Sequence, residues 1–157
     1  MNTSTAPVAA SAATEELLAQ LRAKEHASCF ACRPQKWGGL GLAFTVNPDK
    51  SVQTTWTCPG SYQSYEGIVH GGILATILDC SMVQTMFARG IVARTGELTL
   101  RYHHPVEVLA PLQIHAEVSE NKGPLYLLKA DITQAGLLCV RAHAKFMQTN
   151  DEGNAKD

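Results

Sequence analysis

The sequence predicts an α+β fold in which a single antiparallel sheet wraps around one long central helix. Three observations lead there. The last third of the chain holds four stretches in which apolar and polar residues alternate, the period-two pattern of strands with one buried and one wetter face. An almost wholly apolar segment runs over residues 71–88, with Asp79 as its single charged side chain. Thr76, Ser81, Gln84 and Thr85 interrupt it too often for a membrane span, so it reads as a buried helix. Two shorter strand-like stretches precede that segment. A helix apolar on nearly all sides must be covered, and one sheet covers it with the fewest elements.

The elements follow in chain order. Residues 1 to about 12 are rich in Ala, Ser and Thr and read as a tail. Thr14 is placed to cap a short helix. Glu15 and Glu16 fall in its first turn, where the helix dipole favours acids. Leu17, Leu18 and Leu21 supply its apolar stripe, and it should end near His26. A loop rich in Cys, Pro and Gly spans residues 28–41. Two strands are expected over 42–47 and 51–57, with "NPDK" as the turn between them. A Pro- and Gly-containing connection over 58–69 leads into the apolar helix, which should stop before Gly90. In the first late strand Leu98, Leu100 and Tyr102 share a face. In the next, Leu112, Ile114, Ala116 and Val118 do so, then Tyr126, Leu128, Ala130 and Ile132, then Leu138, Val140, Ala142, Ala144 and Phe146. "ENKGP" and "TQAG" are the turns that join the last three as a meander. The chain thus divides into a tail and short helix (1–27), one folded domain (28–149) and a polar tail (150–157).

Bulk properties narrow the function. A chain of 157 residues with 45% hydrophobic and 17% charged residues is long enough for one domain with a real core. A net charge of -1 gives no electrostatic reason to expect a nucleic acid or an anionic membrane as partner. The first residues lack the basic and apolar regions of a signal peptide. Five cysteines, Cys29, Cys32, Cys58, Cys80 and Cys139, suit reduced thiols in the cytoplasm better than a disulfide framework. No cofactor is expected.

Asp79 is the residue that needs an explanation. One reading is a buried carboxylate satisfied by nearby donors for structural reasons. A metal ligand is a second, although no other carboxylate or histidine lies at ligand spacing on the same helix face. The third is a functional carboxylate, the setting in which the cost of burial is usually tolerated. "HGG", residues 70–72, stands at the expected helix start, where backbone N–H groups are free and the dipole favours negative charge. Such donors can hold a developing oxyanion in acyl transfer, and a carboxylate can act as nucleophile or as base on water. Gly71 and Asp79 are separated by roughly 12 Å along one helix, so they cannot meet at one carbonyl. Two such helices, antiparallel across a two-fold axis near Ala75, would bring Asp79 of one to Gly71 of the other. A homodimer is therefore expected, with a tetramer of two such dimers as the alternative assembly.

"GIVHGGILATILD" (67–79) followed by "ARTGELTLRYHHPV" (93–106) resembles the PaaI-like acyl-CoA thioesterases of the hotdog fold, a likeness covering residues 40–147. The upstream "CFACRPQKWGGLGLAF" is similar to one branch of that family, with Arg33 where Gly is usual. The resemblance implies hydrolysis of an acyl-CoA or related thioester. It makes Asp79 the nucleophile or the base on water, the Gly71 N–H the donor to the thioester carbonyl across a dimer interface, and Thr95 an assistant to water or carboxylate. It also implies substrate contacts from His70, Gly72 and Gln63, or from Ser64 at the position where Asn is common, with Glu66 a second acid nearby. His70 reads equally as a residue that caps the turn. The alternative function is a hotdog module that binds an acyl-CoA or small aromatic ligand without turnover. A dehydratase is disfavoured because no His follows Asp79 in the helix.

"HASCFAC" places His26, Cys29 and Cys32 at metal-like spacing, with Cys58 available as a fourth ligand. A single CxxC is weak support for zinc, so ordinary loop thiols are the first expectation and no metal is assigned. Arg101, Lys122 and Arg141 are candidate contacts for coenzyme A phosphates. Met82, Met86 and Phe87 fit either an acyl pocket or plain core packing.

Overall fold

A computed structural model describes residues 10–150. The expected tail before residue 10 and the polar tail from residue 151 onward lie outside them. The first helix, α1, spans Ala12–Glu25. The expected cap on Thr14 is corrected to Ser11, whose extended backbone precedes the helix and whose side chain accepts the Thr14 N–H. Thr14 therefore lies within the helix, with Glu15 in the first turn as expected and Glu16, also expected there, one position beyond it because the helix starts at Ala12. Leu18 is buried, and α1 packs against the central helix and the first strand.

Strand β1 is only Thr45–Val46, shorter than the expected 42–47. The reason lies in where the backbone of residues 40–42 finds its partners. The N–H groups of Leu40, Gly41 and Leu42 donate to Phe30, Arg33 and Ala31 in the preceding loop, so these residues join that loop and leave the sheet. Trp56 then locks the loop in place, its indole N–H donating 2.7 Å to the Leu40 carbonyl. Strand β2 spans Val52–Thr57 and pairs antiparallel with β1.

The central helix α2 spans Gly71–Phe87, close to the expected 71–88. Four strands follow: β3 (Ala93–Tyr102), β4 (Pro111–Lys122), β5 (Leu125–Gln134) and β6 (Leu137–Gln148). The sheet runs β1-β2-β4-β5-β6-β3, with every neighbouring pair antiparallel. This is an α+β hotdog fold.

The register explains how the helix is seated. Ala116 pairs with Ala130, and Ala130 with Ala142, so three small side chains form one row across β4, β5 and β6. Ile114, Ile132 and Val140 form the next row. The short alanines let α2 approach the sheet closely, and Ile77, Leu78, Met82 and Met86 fill the space with no exposed surface. On its far side α2 is covered by α1 and by loop residues such as Cys32. That cover extends over the C-terminal half, where Cys80 to Ala88 are all buried. Ile73, Ala75 and Thr76 in the first half are only partly buried.

The strand alternation holds in β4, β5 and most of β6. Two departures are local. Cys139 is buried beside Val140, after a register shift opposite Ile132 and Thr133. Tyr102, read as facing inward with Leu98 and Leu100, is 52% exposed at the end of the edge strand β3. Among the described residues no helix is long and apolar enough to cross a membrane.

Candidate active site at the start of the central helix

The N-terminus of α2 is built by side-chain and backbone capping. His70 is its N-cap in extended conformation, and its Nδ1 accepts the Gly72 N–H at 2.9 Å. The His70 carbonyl takes the Ile73 and Leu74 N–H groups. Its own N–H donates 2.9 Å to Tyr62, and Val69 donates 2.8 Å to Val106, so the turn is held from two sides. The Gly71 N–H has no acceptor among the described residues, which leaves a free donor at the positive end of the helix dipole. A Cβ on Gly72 would lie 3.1 Å from His70 Nδ1, so glycine is what allows this cap to close.

Tyr102 reaches this turn from β3, and its phenol donates 2.8 Å to the Gly71 carbonyl. Burial pushes the phenol pKa up, which keeps the donor protonated. Nothing in the sequence marked Tyr102 for this role beyond its place at a strand end. A cleft of about 360 Å³ opens beside it, lined by Ser64, Tyr65, Gly71, Leu74, Tyr102 and His103. On the other flank a 400 Å³ depression is lined by Gln63, His70, Gly72, Ile73 and Thr76.

Gln63 and Ser64 are less free than the sequence suggested. Gln63 Oε1 accepts the Gly67 N–H at 2.9 Å, stabilising a turn in which Gly67 has φ +78°. The Ser64 N–H donates to Ile68, and its exposed side chain borders the cleft. Glu66 is exposed in the same turn.

Asp79 sits two helical turns farther along. Its Oδ1 accepts the Thr95 hydroxyl at 2.6 Å, a bond that crosses from α2 to β3. The β3–β6 register shifts between Thr95 and Glu97, placing a bulge directly beside the threonine. Bulges re-aim side chains, and this one accompanies the contact with Asp79. Within one chain the acid and threonine are thus together, as are His70, Gly71 and Gly72. The two groups are separate, in keeping with the roughly 12 Å expected along the helix.

The thiols converge elsewhere, on the far side of α2. Donor atoms of His26, Cys29 and Cys32 lie within 4.8 Å of one another. Next to this group Cys80 on α2 lies 3.6 Å from Cys32, while the expected fourth ligand, Cys58, is not part of it. Cys58 instead donates to its neighbour Pro59, and burial pushes its pKa up to about 11. Cys80 is invisible to a spacing argument because it is 48 residues from Cys32 and inside the apolar run. Its hydrogen bond draws Cys29 down to about 4 against the effect of burial, helped by backbone donors and the charge on His26. Cys32 is drawn down first by the same partner, while Cys80 is pushed far up by both contacts.

Comparison with known proteins places the chain. Residues 66–143, about half of the chain, match the family model of the thioesterase superfamily. Over 119 residues the chain is 28% identical to the acyl-coenzyme A thioesterase THEM4 of Rattus norvegicus, covering 73% of this chain and 51% of that protein. It therefore spans about half the length of this curated relative. A crystal structure of a thioesterase superfamily protein aligns with TM-score 0.64 and 26% identity, covering 94% of this chain and 81% of that one. The PaaI protein of the phenylacetic acid degradation operon of E. coli aligns with TM-score 0.72 and 14% identity, over 86% and 95% of the two chains. The matched region holds both the HGG turn and the Asp79–Thr95 pair, and on this evidence the chain belongs to the hotdog-fold thioesterase superfamily.

Proposed function

We propose that the chain hydrolyses acyl-CoA thioesters at a site assembled from two copies. One protomer supplies Asp79 and Thr95, and the other supplies the Gly71 N–H at the start of its helix. The observation that carries this reading is the pairing of a carboxylate, oriented by a 2.6 Å hydroxyl bond, with a helix-start N–H that has no acceptor among the described residues. The acyl-CoA class is supported by the resemblance to THEM4, named an acyl-coenzyme A thioesterase.

The chemistry follows from those groups. The Gly71 N–H bonds the thioester carbonyl oxygen and stabilises the negative charge that develops there, a contribution of about 3 kcal/mol for comparable donors. Thr95 holds Oδ1 of Asp79, leaving Oδ2 for the reaction. Oδ2 either attacks the carbonyl carbon, giving an acyl-aspartyl anhydride that water then hydrolyses, or takes a proton from an attacking water. In both routes the C–S bond breaks, the sulfur leaves as thiolate and takes up a proton, and the acid is released. His70 serves by accepting the Gly72 N–H, which fixes the turn presenting Gly71.

The test is release of free thiol from a panel of acyl-CoA thioesters by the full chain and by D79N. Turnover on at least one member, lost by at least a hundredfold in D79N with fold and assembly unchanged, is the expected result. Ligand binding without turnover on any thioester would identify a non-catalytic module. Near-normal turnover by D79N would remove the aspartate from the chemistry.

A further inference from the structure

The cluster at His26, Cys29, Cys32 and Cys80 takes no part in the proposed hydrolysis, and its geometry calls for an explanation of its own. We propose that these four residues form a tetrahedral site for a zinc ion, pinning loop 28–41 and the end of α1 to the central helix. Three thiols and an imidazole are a donor set that zinc accepts in structural sites. Sulfurs about 2.3 Å from a tetrahedral zinc stand roughly 3.8 Å apart, and Cys32 and Cys80 stand 3.6 Å apart. A disulfide would need about 2.05 Å, so the two sulfurs are free thiols at a separation compatible with a shared ion.

Two further observations point to a ligand. A ring nitrogen of His26 lies within 4.8 Å of the Cys29 and Cys32 sulfurs, and the buried Nδ1 of that ring has no hydrogen-bond partner, a costly state that a ligand bound there would relieve. Gln84, fully buried on α2, aims its amide N–H at Cys32 Sγ from 3.6 Å. A donor in this position would orient and support a thiolate ligand. The Arg22 guanidinium closes the same corner by bonding the Cys32 and Leu42 carbonyls. The four ligands come from the cap of α1, the loop and α2, and this loop is the one that buries the C-terminal half of α2. Binding displaces the remaining thiol protons to solvent, with no change of oxidation state.

The experiment is metal analysis of the purified full chain, with cobalt substitution as a probe of geometry. The expected result is about one zinc per chain in wild type and less than a tenth of that in a Cys29→Ser/Cys32→Ser double variant and in Cys80→Ala. Chelated, reduced wild type titrated with Co²⁺ should develop sulfur-to-cobalt charge transfer and the strong visible bands of tetrahedral coordination, saturating at one equivalent. This titration needs no variant, so a variant that fails to fold leaves the proposal open to refutation. His26→Ala should weaken zinc binding at least tenfold. Wild type that binds neither metal, or Cys80→Ala that retains full stoichiometry and an unchanged cobalt spectrum, would overturn the site. So would a Cys29–Cys32 disulfide in chain purified from reducing cells.

Discussion

At the scale of single residues, the hydrogen-bond pattern around position 71 permits an unusually clean experiment. Gly71 is the first residue of α2, where the backbone N–H has no partner within the helix and proline is well accommodated. The preceding His70 has φ -60° and ψ 131°, a conformation that a following proline favours. Gly71→Pro therefore deletes one N–H while keeping the helix start. If that donor holds the thioester oxyanion, kcat should fall by about 10²–10³, with little change in melting temperature. A variant that folds and turns over like wild type would show that the oxyanion is held elsewhere. The nearest strain is the Tyr102 phenol, 3.4 Å from the position a Cβ would take, and the far end of a tyrosine can shift by that margin.

At the scale of elements, strand pairing sets both stability and its pH dependence. Asp131 on β5 lies directly opposite Arg141 on β6, and the guanidinium makes two bonds to the carboxylate at 2.7 and 2.8 Å. Burial alone would raise the Asp131 pKa, but the Arg141 bonds and charge hold it below the usual range. A depressed folded-state pKa contributes stability that is present above the unfolded carboxylate value and is lost as pH falls through the folded one. Wild type should therefore lose roughly 1 kcal/mol more than Asp131→Asn between neutral pH and about pH 3, the charge-assisted pair being only partly screened. Urea unfolding of both at several pH values checks this, and parallel pH curves would discount the pair. Much at this scale was legible in advance. Four alternating stretches and one apolar run specified the strands, the helix and their antiparallel arrangement. What escaped was settled by contacts far apart in sequence. Residues 40–42 left the sheet for hydrogen bonds to loop 28–41, and Ser11 took the cap because its own backbone is extended whereas Thr14 already lies within the helix. The Asp79–Thr95 pair was reachable only through family resemblance, since no local pattern aligns a helix residue with a strand bulge 16 positions later. Tyr102 and Cys80 carried no signal, because each reads as ordinary strand or core until the fold brings its partners to it.

At the scale of the whole molecule, the open question is what meets the two exposed halves of the candidate site. Strand β3 is an edge of the sheet, with Leu98 and Leu100 only partly buried, and an unpaired edge of ten residues is a ready surface for a second copy. The first turns of α2 are likewise left partly uncovered, with Ile73, Ala75 and Thr76 partly accessible in the same half of the helix as the free Gly71 donor. A two-fold axis near Ala75 would cover both surfaces and join Asp79 of each protomer to Gly71 of its twin. Mixing inactive variants tests this arrangement directly. Asp79→Asn retains the donor and lacks the acid, whereas Gly71→Pro retains the acid and lacks the donor. If sites are shared, a mixed dimer contains one intact site, built from Asp79 of the proline variant and Gly71 of the asparagine variant. Random exchange of equal amounts makes half of all dimers mixed, so activity should recover to about one quarter of wild type. A site contained within each subunit would give no recovery at all, because neither chain would hold both groups.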